Sequence, residues 1–145
     1  RPYSMPEYTI KCPHCQQSYT IGVYNLGFGD FLQLRCNKCP TTLDIGFYHP
    51  MMQDLNKKFG WMTGGFFENL YNSLKDCRCG GQYRVDAAYR CPKCNVPISS
   101  KDIYKQVDYK GGIVMGEIID SEKVKESIWK DPKDILPIKP WLKFW

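Results

Sequence analysis

Eight cysteines, arranged as four close pairs, are the residues whose type and spacing indicate chemistry. Two thiolates on a short turn can bind one metal ion while the backbone amides of the turn point at the sulfurs. A tetrahedral site needs two such turns, so four pairs predict two metal ions. The pairs are Cys12-Pro-His-Cys15, Cys36-Asn-Lys-Cys39, Cys77-Arg-Cys79 and Cys91-Pro-Lys-Cys94.

The spacing predicts that pairs adjacent in sequence share an ion. The first two pairs read C-x2-C-x20-C-x2-C, at the upper end of the range for a four-cysteine zinc site. The last two read C-x-C-x11-C-x2-C, a shorter turn that positive φ angles at Gly80 and Gly81 can wrap. We therefore expect one structural Zn²⁺ at Cys12, Cys15, Cys36 and Cys39, and a second at Cys77, Cys79, Cys91 and Cys94.

Other uses of the cysteines fit the sequence less well. A secreted disulfide framework needs an oxidising compartment, and no export signal is visible. A thioredoxin-like motif uses one reactive pair at a helix start, whereas four pairs here lie beside strand-like segments. Iron stays open, because it accepts the same four thiolates. His14 and His49 are not needed as ligands, because eight thiolates fill two sites. We expect His14 to be an exposed turn residue and His49 to lie at the end of a strand.

Alternating apolar residues predict the strands that carry the first two cysteine pairs. They cover residues 18–24 and 31–35 and a segment around Leu43, Ile45 and Phe47, and we expect them to pair into one small antiparallel sheet with its zinc at one end. The pairs CPHC and CNKC on such strands resemble the zinc-ribbon family, which is rubredoxin-like and builds a site from cysteine turns on neighbouring hairpins. Tyr83–Val85 and Ala88–Tyr89 predict a second, smaller hairpin, so the chain resembles a tandem zinc ribbon over roughly residues 8–110.

The expected fold class is a small metal-bound α+β protein with mainly antiparallel strands. The predicted divisions are a first ribbon at 5–50, a helical connector at 51–76, a second ribbon at 77–112 and a C-terminal region at 113–145. The connector should hold a short helix from Gly64–Gly65 to Asp76. A hairpin of residues 103–109 and 113–119, a short helix capped by Asp120 or Ser121 that carries Val124, and an extended aromatic tail should follow.

Charge argues against strong, generic binding to nucleic acid. The formal charge of +5 counts cysteine as neutral. Eight thiolates and two Zn²⁺ ions would lower it to about +1. Basic and aromatic residues do alternate in the second ribbon, which keeps nucleic acid as an alternative partner. Candidate partner-binding residues are Arg78, Arg84, Arg90 and Lys93 of that ribbon, and Trp141, Phe144 and Trp145 of the tail.

No motif of an enzyme appears in the sequence, and two closed four-thiolate sites would stabilise the fold rather than catalyse. We expect a cytoplasmic, non-enzymatic module that binds another protein, such as an adaptor, an inhibitor or a toxin-neutralising immunity-type protein. We expect no membrane partner and no small-molecule substrate. The alternatives are a nucleic-acid-binding zinc ribbon and a rubredoxin-like iron electron carrier.

Overall fold

A computed structural model describes residues 6–25, 31–107, 114–118 and 123–125. The chain divides into two compact units, each built from two separated segments. Unit 1 contains residues 1–29 and 88–122, and unit 2 contains residues 30–87 and 123–145. This division differs from the contiguous ranges predicted from the sequence, which are 5–50, 51–76, 77–112 and 113–145.

Unit 1 is built on a three-stranded antiparallel sheet in the order β1-β2-β8. In β2 the side chains of Tyr19, Ile21 and Val23 are all buried, as their alternation predicts. A two-stranded ribbon of β6 and β7 and the helix α3, which buries Ile103, complete the core. The elements are β1 (Glu7–Lys11), β2 (Ser18–Asn25), β6 (Tyr89–Arg90), β7 (Pro97–Ile98), α3 (Ser100–Gln106) and β8 (Val114–Ile118).

Unit 2 contains a four-stranded sheet in the order β5-β3-β4-β9 and two helices. The central pair β3 and β4 is antiparallel, and Leu34 lies opposite Leu43 within the core. Strand β9 is parallel to β4, whereas every other strand pair in the described ranges is antiparallel. The elements are β3 (Phe31–Cys36), β4 (Thr42–Gly46), α1 (Pro50–Phe59), α2 (Gly64–Ser73), β5 (Tyr83–Arg84) and β9 (Lys123–Lys125).

Side-chain caps define where the helices of unit 2 begin. The Nδ1 atom of His49 accepts a hydrogen bond from the Met51 N–H at 3.1 Å, and Pro50 occupies the first turn, where no amide donor is needed. Helix α1 ends at Gly60, whose φ of 85° suits glycine. The Thr63 hydroxyl caps α2 by accepting from the Phe66 N–H at 3.1 Å. Both helices bury their apolar faces in the core of unit 2.

The strands predicted around the first two cysteine pairs are confirmed, but their predicted pairing into one sheet is wrong. Strand β2 pairs with β1 and β8, whereas β3 pairs with β4 and β5. The predicted hairpin of Tyr83–Val85 with Ala88–Tyr89 is wrong for the same reason. Strand β5 pairs with β3 in unit 2, while β6 pairs with β7 in unit 1.

Two predictions for the C-terminal third need correction. Residues 100–106 form α3 instead of a strand, because Ser99 caps this segment by accepting from the Asp102 N–H at 3.2 Å. Residues 123–125 form β9, not part of a helix capped by Asp120 or Ser121, because their backbone pairs with β4. The predicted strand at 113–119 is confirmed as β8, with β2 as its partner. The aromatic tail lies outside the described residues.

The helix predicted at Gly64–Gly65 is confirmed as α2, while α1 was not predicted. His14 is exposed in a turn, as expected, whereas His49 is buried at the start of a helix and not at a strand end. None of the helices within the described ranges combines the length and the apolar character needed to cross a membrane.

Candidate metal centres

The structure gathers the eight cysteines into two groups of four, and each group takes one turn from each half of the cysteine-rich region. The ligand atoms within a group all lie within 4.8 Å of one another, and all eight thiols are free of disulfides. The site of unit 1 contains Cys12, Cys15, Cys91 and Cys94, and the site of unit 2 contains Cys36, Cys39, Cys77 and Cys79.

The predicted sharing of ions by adjacent pairs is therefore wrong. The first and fourth pairs meet in unit 1, and the second and third pairs meet in unit 2. The reason lies in the sheets. Strand β2 leads away from Cys15 within unit 1, while β3 delivers Cys36 to unit 2 and pairs with β5 beside Cys77 and Cys79.

Sulfur–sulfur distances test whether the two groups fit a metal ion. Tetrahedral Zn–S bonds of about 2.3 Å place the sulfurs about 3.8 Å apart. In unit 1 the Sγ atoms of Cys12 and Cys94 are 3.6 Å apart, and those of Cys15 and Cys91 are 3.8 Å apart. In unit 2 the corresponding distances are 3.4 Å for Cys36–Cys79 and 3.6 Å for Cys39–Cys77. Both groups are positioned to hold a metal ion.

The site of unit 1 is made by two turns of the same geometry. The Cys12 N–H donates to Gln17 O at 3.0 Å, and the Cys91 N–H donates to Val96 O at 3.0 Å. The residue after each second cysteine is left-handed, with φ of 62° at Gln16 and 65° at Asn95. The shared sequence C-P-x-C followed by an amide residue thus builds two matching turns.

The turns of unit 1 also direct amides at the sulfurs. The His14 N–H lies 3.4 Å from Cys12 Sγ, and the Lys93 N–H lies 3.3 Å from Cys91 Sγ. Burial raises the pKa of Cys12, but backbone hydrogen bonds from Cys15 and His14 outweigh it and lower the pKa to about 7. A thiol with this pKa is readily ionised, as a metal ligand must be.

The site of unit 2 depends on two glycines that follow the short Cys77-Arg-Cys79 turn. Gly80 has φ of 90°, and its N–H donates to Cys77 O at 2.8 Å. Gly81 is needed for space, because a Cβ atom there would lie 2.5 Å from Cys36 Sγ and 2.9 Å from Asn37 Oδ1. The positive φ predicted for both glycines is thus found at Gly80 only.

Neighbouring groups bind the sulfurs of unit 2 as well. The Lys38 and Gly81 N–H groups lie 3.4 Å from Cys36 Sγ and Cys79 Sγ respectively. Burial raises the pKa of Cys77, but hydrogen bonds from the Cys79 amide and the Tyr83 side chain lower it to about 7. Burial raises the pKa of Cys36 to about 12, so this thiol loses its proton only when a cation stabilises the thiolate.

The predicted partner-binding residues of the second ribbon divide between the two units. Arg84 forms a bidentate pair with Asp86 at 2.8 and 3.0 Å and lies over the ring of Tyr71. Arg90 donates to Asn95 O at 2.8 Å. Arg78 and Arg84 belong to unit 2, and Arg90 and Lys93 belong to unit 1. Trp141, Phe144 and Trp145 lie outside the described residues.

Sequence reasoning missed a group of exposed aromatic residues in unit 2. Tyr48 is 70% exposed and Trp61 is 40% exposed, on either side of α1. Together with Phe47, Gln53 and Met62 they line an open groove of about 480 Å³. Their spacing in the sequence gives no periodic signal, because four of the five come from the two turns that flank α1 and only Gln53 comes from the helix itself.

Comparison with known proteins places the cysteines within a recognised domain. No curated protein and no solved structure gives a significant match to the chain. A family model described as "Domain of unknown function (DUF8255)" matches residues 8–100, a range that holds all eight cysteines. The chain therefore belongs to the DUF8255 family.

Proposed function

We propose that this protein is a non-enzymatic binding module in which each group of four cysteines holds one structural Zn²⁺ ion. The observation that supports zinc in a structural role is the closure of each site by four thiol groups at tetrahedral spacing. A catalytic zinc ion keeps one position for water or substrate, whereas four protein ligands leave none. When bound, the metal supplies folding free energy, about 10–16 kcal/mol in zinc-finger peptides.

The partner that we propose is another protein. Five large apolar side chains are exposed in the described part of the chain, and four of them fall within residues 48–62. Aromatic residues and methionine are enriched at protein interfaces, and such a concentration is unusual on a surface that meets only water. An adaptor, an inhibitor or an immunity-type protein needs a surface of this kind and no catalytic centre.

Metal analysis tests the first part of the proposal. Protein purified without added metal should contain two zinc ions per chain and no visible absorption. Iron would give a coloured protein and favour an electron carrier. One metal ion or none, with oxidised cysteines, would contradict the structural role.

Salt dependence tests the choice of partner. We expect a protein captured from source cells by the zinc-loaded chain to stay bound between 0.15 and 0.5 M salt, and to be lost after the zinc is removed. A single-stranded oligonucleotide that binds tightly at 0.05 M salt and weakly at 0.2 M would instead favour the nucleic-acid alternative, because phosphate contacts release counterions.

A further inference from the structure

Aromatic contacts and a hydrogen bond connect the residues of the groove beside α1, and one residue of its rim has a strained backbone conformation. Trp61 packs edge-to-face on Phe47 and against Phe66, with ring centroids 5.5 Å apart in both cases. Gln53 fixes the other wall by donating to Phe47 O at 2.6 Å. Met62 has φ of 60°, a left-handed conformation that is uncommon for a residue with a side chain. Strain of this kind tends to cluster at binding sites.

Charge around the groove indicates the chemistry of its occupant. None of the five lining side chains is charged. Lys57 follows Gln53 by one helical turn and therefore lies on the same face of α1. Lys57 is exposed and has no ion pair within the described ranges, whereas its neighbour Lys58 pairs with Asp54 at 3.1 Å. An uncharged aromatic groove beside a lysine that no described acidic residue pairs with complements an apolar segment that carries an acidic residue.

We propose that this groove, lined by Phe47, Tyr48, Gln53, Trp61 and Met62, binds a peptide segment of a partner protein in which a bulky apolar side chain is followed by carboxylates. The apolar side chain packs between Tyr48 and Trp61, and a carboxylate lies beside Lys57. The inference rests on the proposed protein-binding function and adds the surface and the chemistry of the partner. A volume of about 480 Å³ lies within the usual range for binding pockets.

Two synthetic peptides provide the test, Ac-GSLFDEDS-NH2 and a counterpart with lysine in place of the three acidic residues. The full zinc-loaded chain is titrated with each peptide and followed by ¹⁵N NMR. We expect the acidic peptide to shift the signals of residues 47–62 and to bind about threefold to fivefold tighter than the basic peptide. Lys57→Glu should reverse this preference, and Lys75→Glu, which changes an exposed lysine outside the groove, should leave it unchanged.

Two further variants separate binding from folding. Tyr48 is 70% exposed, so Tyr48→Ala should weaken peptide binding while both zinc ions and the unfolding midpoint are retained. Met62→Gly should also weaken binding but should not lower stability, because glycine relieves the left-handed strain. A Met62→Gly protein that binds as tightly as the wild type would show that the rim has no part in recognition.

Other occupants give distinct results, each of which overturns the groove proposal. Equal affinity for the two peptides, or shifts confined to other residues, would remove the charge argument. Dimerisation that protects Trp61 would identify a second copy of the chain. Binding that appears only after deletion of residues 126–145 would identify that segment of the chain itself as the occupant. A captured protein partner that binds Tyr48→Ala and Lys57→Glu as well as the wild type would refute the proposed role of the groove while leaving the protein-binding function intact.

Discussion

At the scale of single residues, Gly81 controls whether the metal site of unit 2 can close. A methyl group at this position would lie 2.5 Å from Cys36 Sγ and 3.0 Å from Lys38 Cβ, distances that require one of the two cysteine turns to move. We expect Gly81→Ala to reduce the metal content from two ions per chain to one, as measured by mass spectrometry under native conditions. Gly64→Ala is the matched control, because no atom lies within 4 Å of its new methyl group.

If Gly81→Ala retained both metal ions and unfolded at the same denaturant concentration as the wild type, the turns would be more adaptable than their contacts imply. Denaturant unfolding of Gly80→Ala should show a smaller loss in the free energy of unfolding, about 1 kcal/mol. The φ of 90° at Gly80 is strained for alanine, but no atom lies close to the new methyl group. The two adjacent glycines thus serve different purposes.

His49 makes the stability of the protein depend on pH. Burial lowers the pKa of His49 to about 4, whereas an unfolded histidine has a pKa of about 6.5. Between these values the unfolded chain binds more protons, so the free energy of unfolding falls as the pH drops, by up to about 1.4 kcal/mol per pH unit. This contribution is fully present above pH 6.5 and is lost as the pH falls toward 4.

Replacing His49 by asparagine tests this linkage while keeping a side chain that can cap α1. Between pH 7.5 and 5.5 we expect His49→Asn to lose about 1 kcal/mol less stability than the wild type, measured by denaturant unfolding with zinc in excess. His14→Asn is the control, because His14 is exposed in a turn. Equal pH dependence in the wild type and His49→Asn would rule out His49 as the source.

At the scale of the elements, the side chain of Gln106 makes the backbone hydrogen bonds that a neighbouring strand would make at the edge of the unit 1 sheet. Strand β1 is an edge strand, and Gln106 from α3 bonds both of the outward-facing backbone groups of Lys11. The Lys11 N–H donates to Gln106 Oε1 at 2.8 Å, and Gln106 Nε2 donates to Lys11 O at 3.0 Å. A neighbouring strand would make the same pair of bonds.

We expect Gln106→Ala to speed hydrogen exchange of the Lys11 amide by about fivefold to tenfold, because its acceptor is lost. The amides of Tyr8 and Ile10, on the inner side of β1, should change less. Lys105→Ala removes an exposed neighbour in the same helix and serves as control. Unchanged protection at Lys11 would mean that the amide pair contributes nothing to the edge in solution.

The elements also show what the sequence can reveal. Alternation along β2 correctly predicts this strand and the burial of Tyr19, Ile21 and Val23, because burial of one face leaves a period of two. It cannot reveal which strand lies beside which, and the assumption that consecutive strands pair was wrong for β2 and β3. For α3 a usable signal was present, since Ser99 and Asp102 have the spacing of a helix start. Ile103 and Tyr104 are residue types that favour strands, and the segment was therefore predicted as a strand.

For the candidate metal sites too, the sequence predicts the local structure but not the pairing of distant segments. Cysteine spacing predicts four metal-binding turns, because each turn is local. The partner of each turn depends on sheets formed by distant segments, and cysteine spacing contains no information about them. The exposed groove could not be predicted, because exposure of Tyr48 or Trp61 depends on how much surface the surrounding core can cover.

At the scale of the whole molecule, pairs of cysteine substitutions separate the observed arrangement from the adjacent one. Cys12 and Cys91 belong to one site, so Cys12→Ser combined with Cys91→Ser should leave one metal ion per chain. Cys12 and Cys36 belong to different sites, so Cys12→Ser combined with Cys36→Ser should damage both. Metal counting by mass spectrometry distinguishes these outcomes, and sharing by adjacent pairs predicts the reverse pattern.

The two sites are nested in the sequence, because all four cysteines of the unit 2 site, the inner site, lie between the two cysteine pairs of the unit 1 site, the outer site. The inner site joins cysteines 38 to 43 residues apart, and the outer site joins cysteines 76 to 82 residues apart. During synthesis the four cysteines of the inner site leave the ribosome before Cys91 and Cys94, the last two cysteines of the outer site. The nascent chain therefore passes through a stage at which Cys12 and Cys15 can meet only the wrong partners.

At that stage, sharing of one ion by the first two pairs is the competing reaction. Closing this loop of about 20 residues costs roughly 1 kcal/mol less in chain entropy than closing the loop of about 76 residues that later completes the outer site, so a metal ion supplied too early favours the misassembled chain. The pairing of β3 with β5 acts against this error, because it commits Cys36 to the inner site. Folding yield should thus depend on when metal arrives as well as on how much is present.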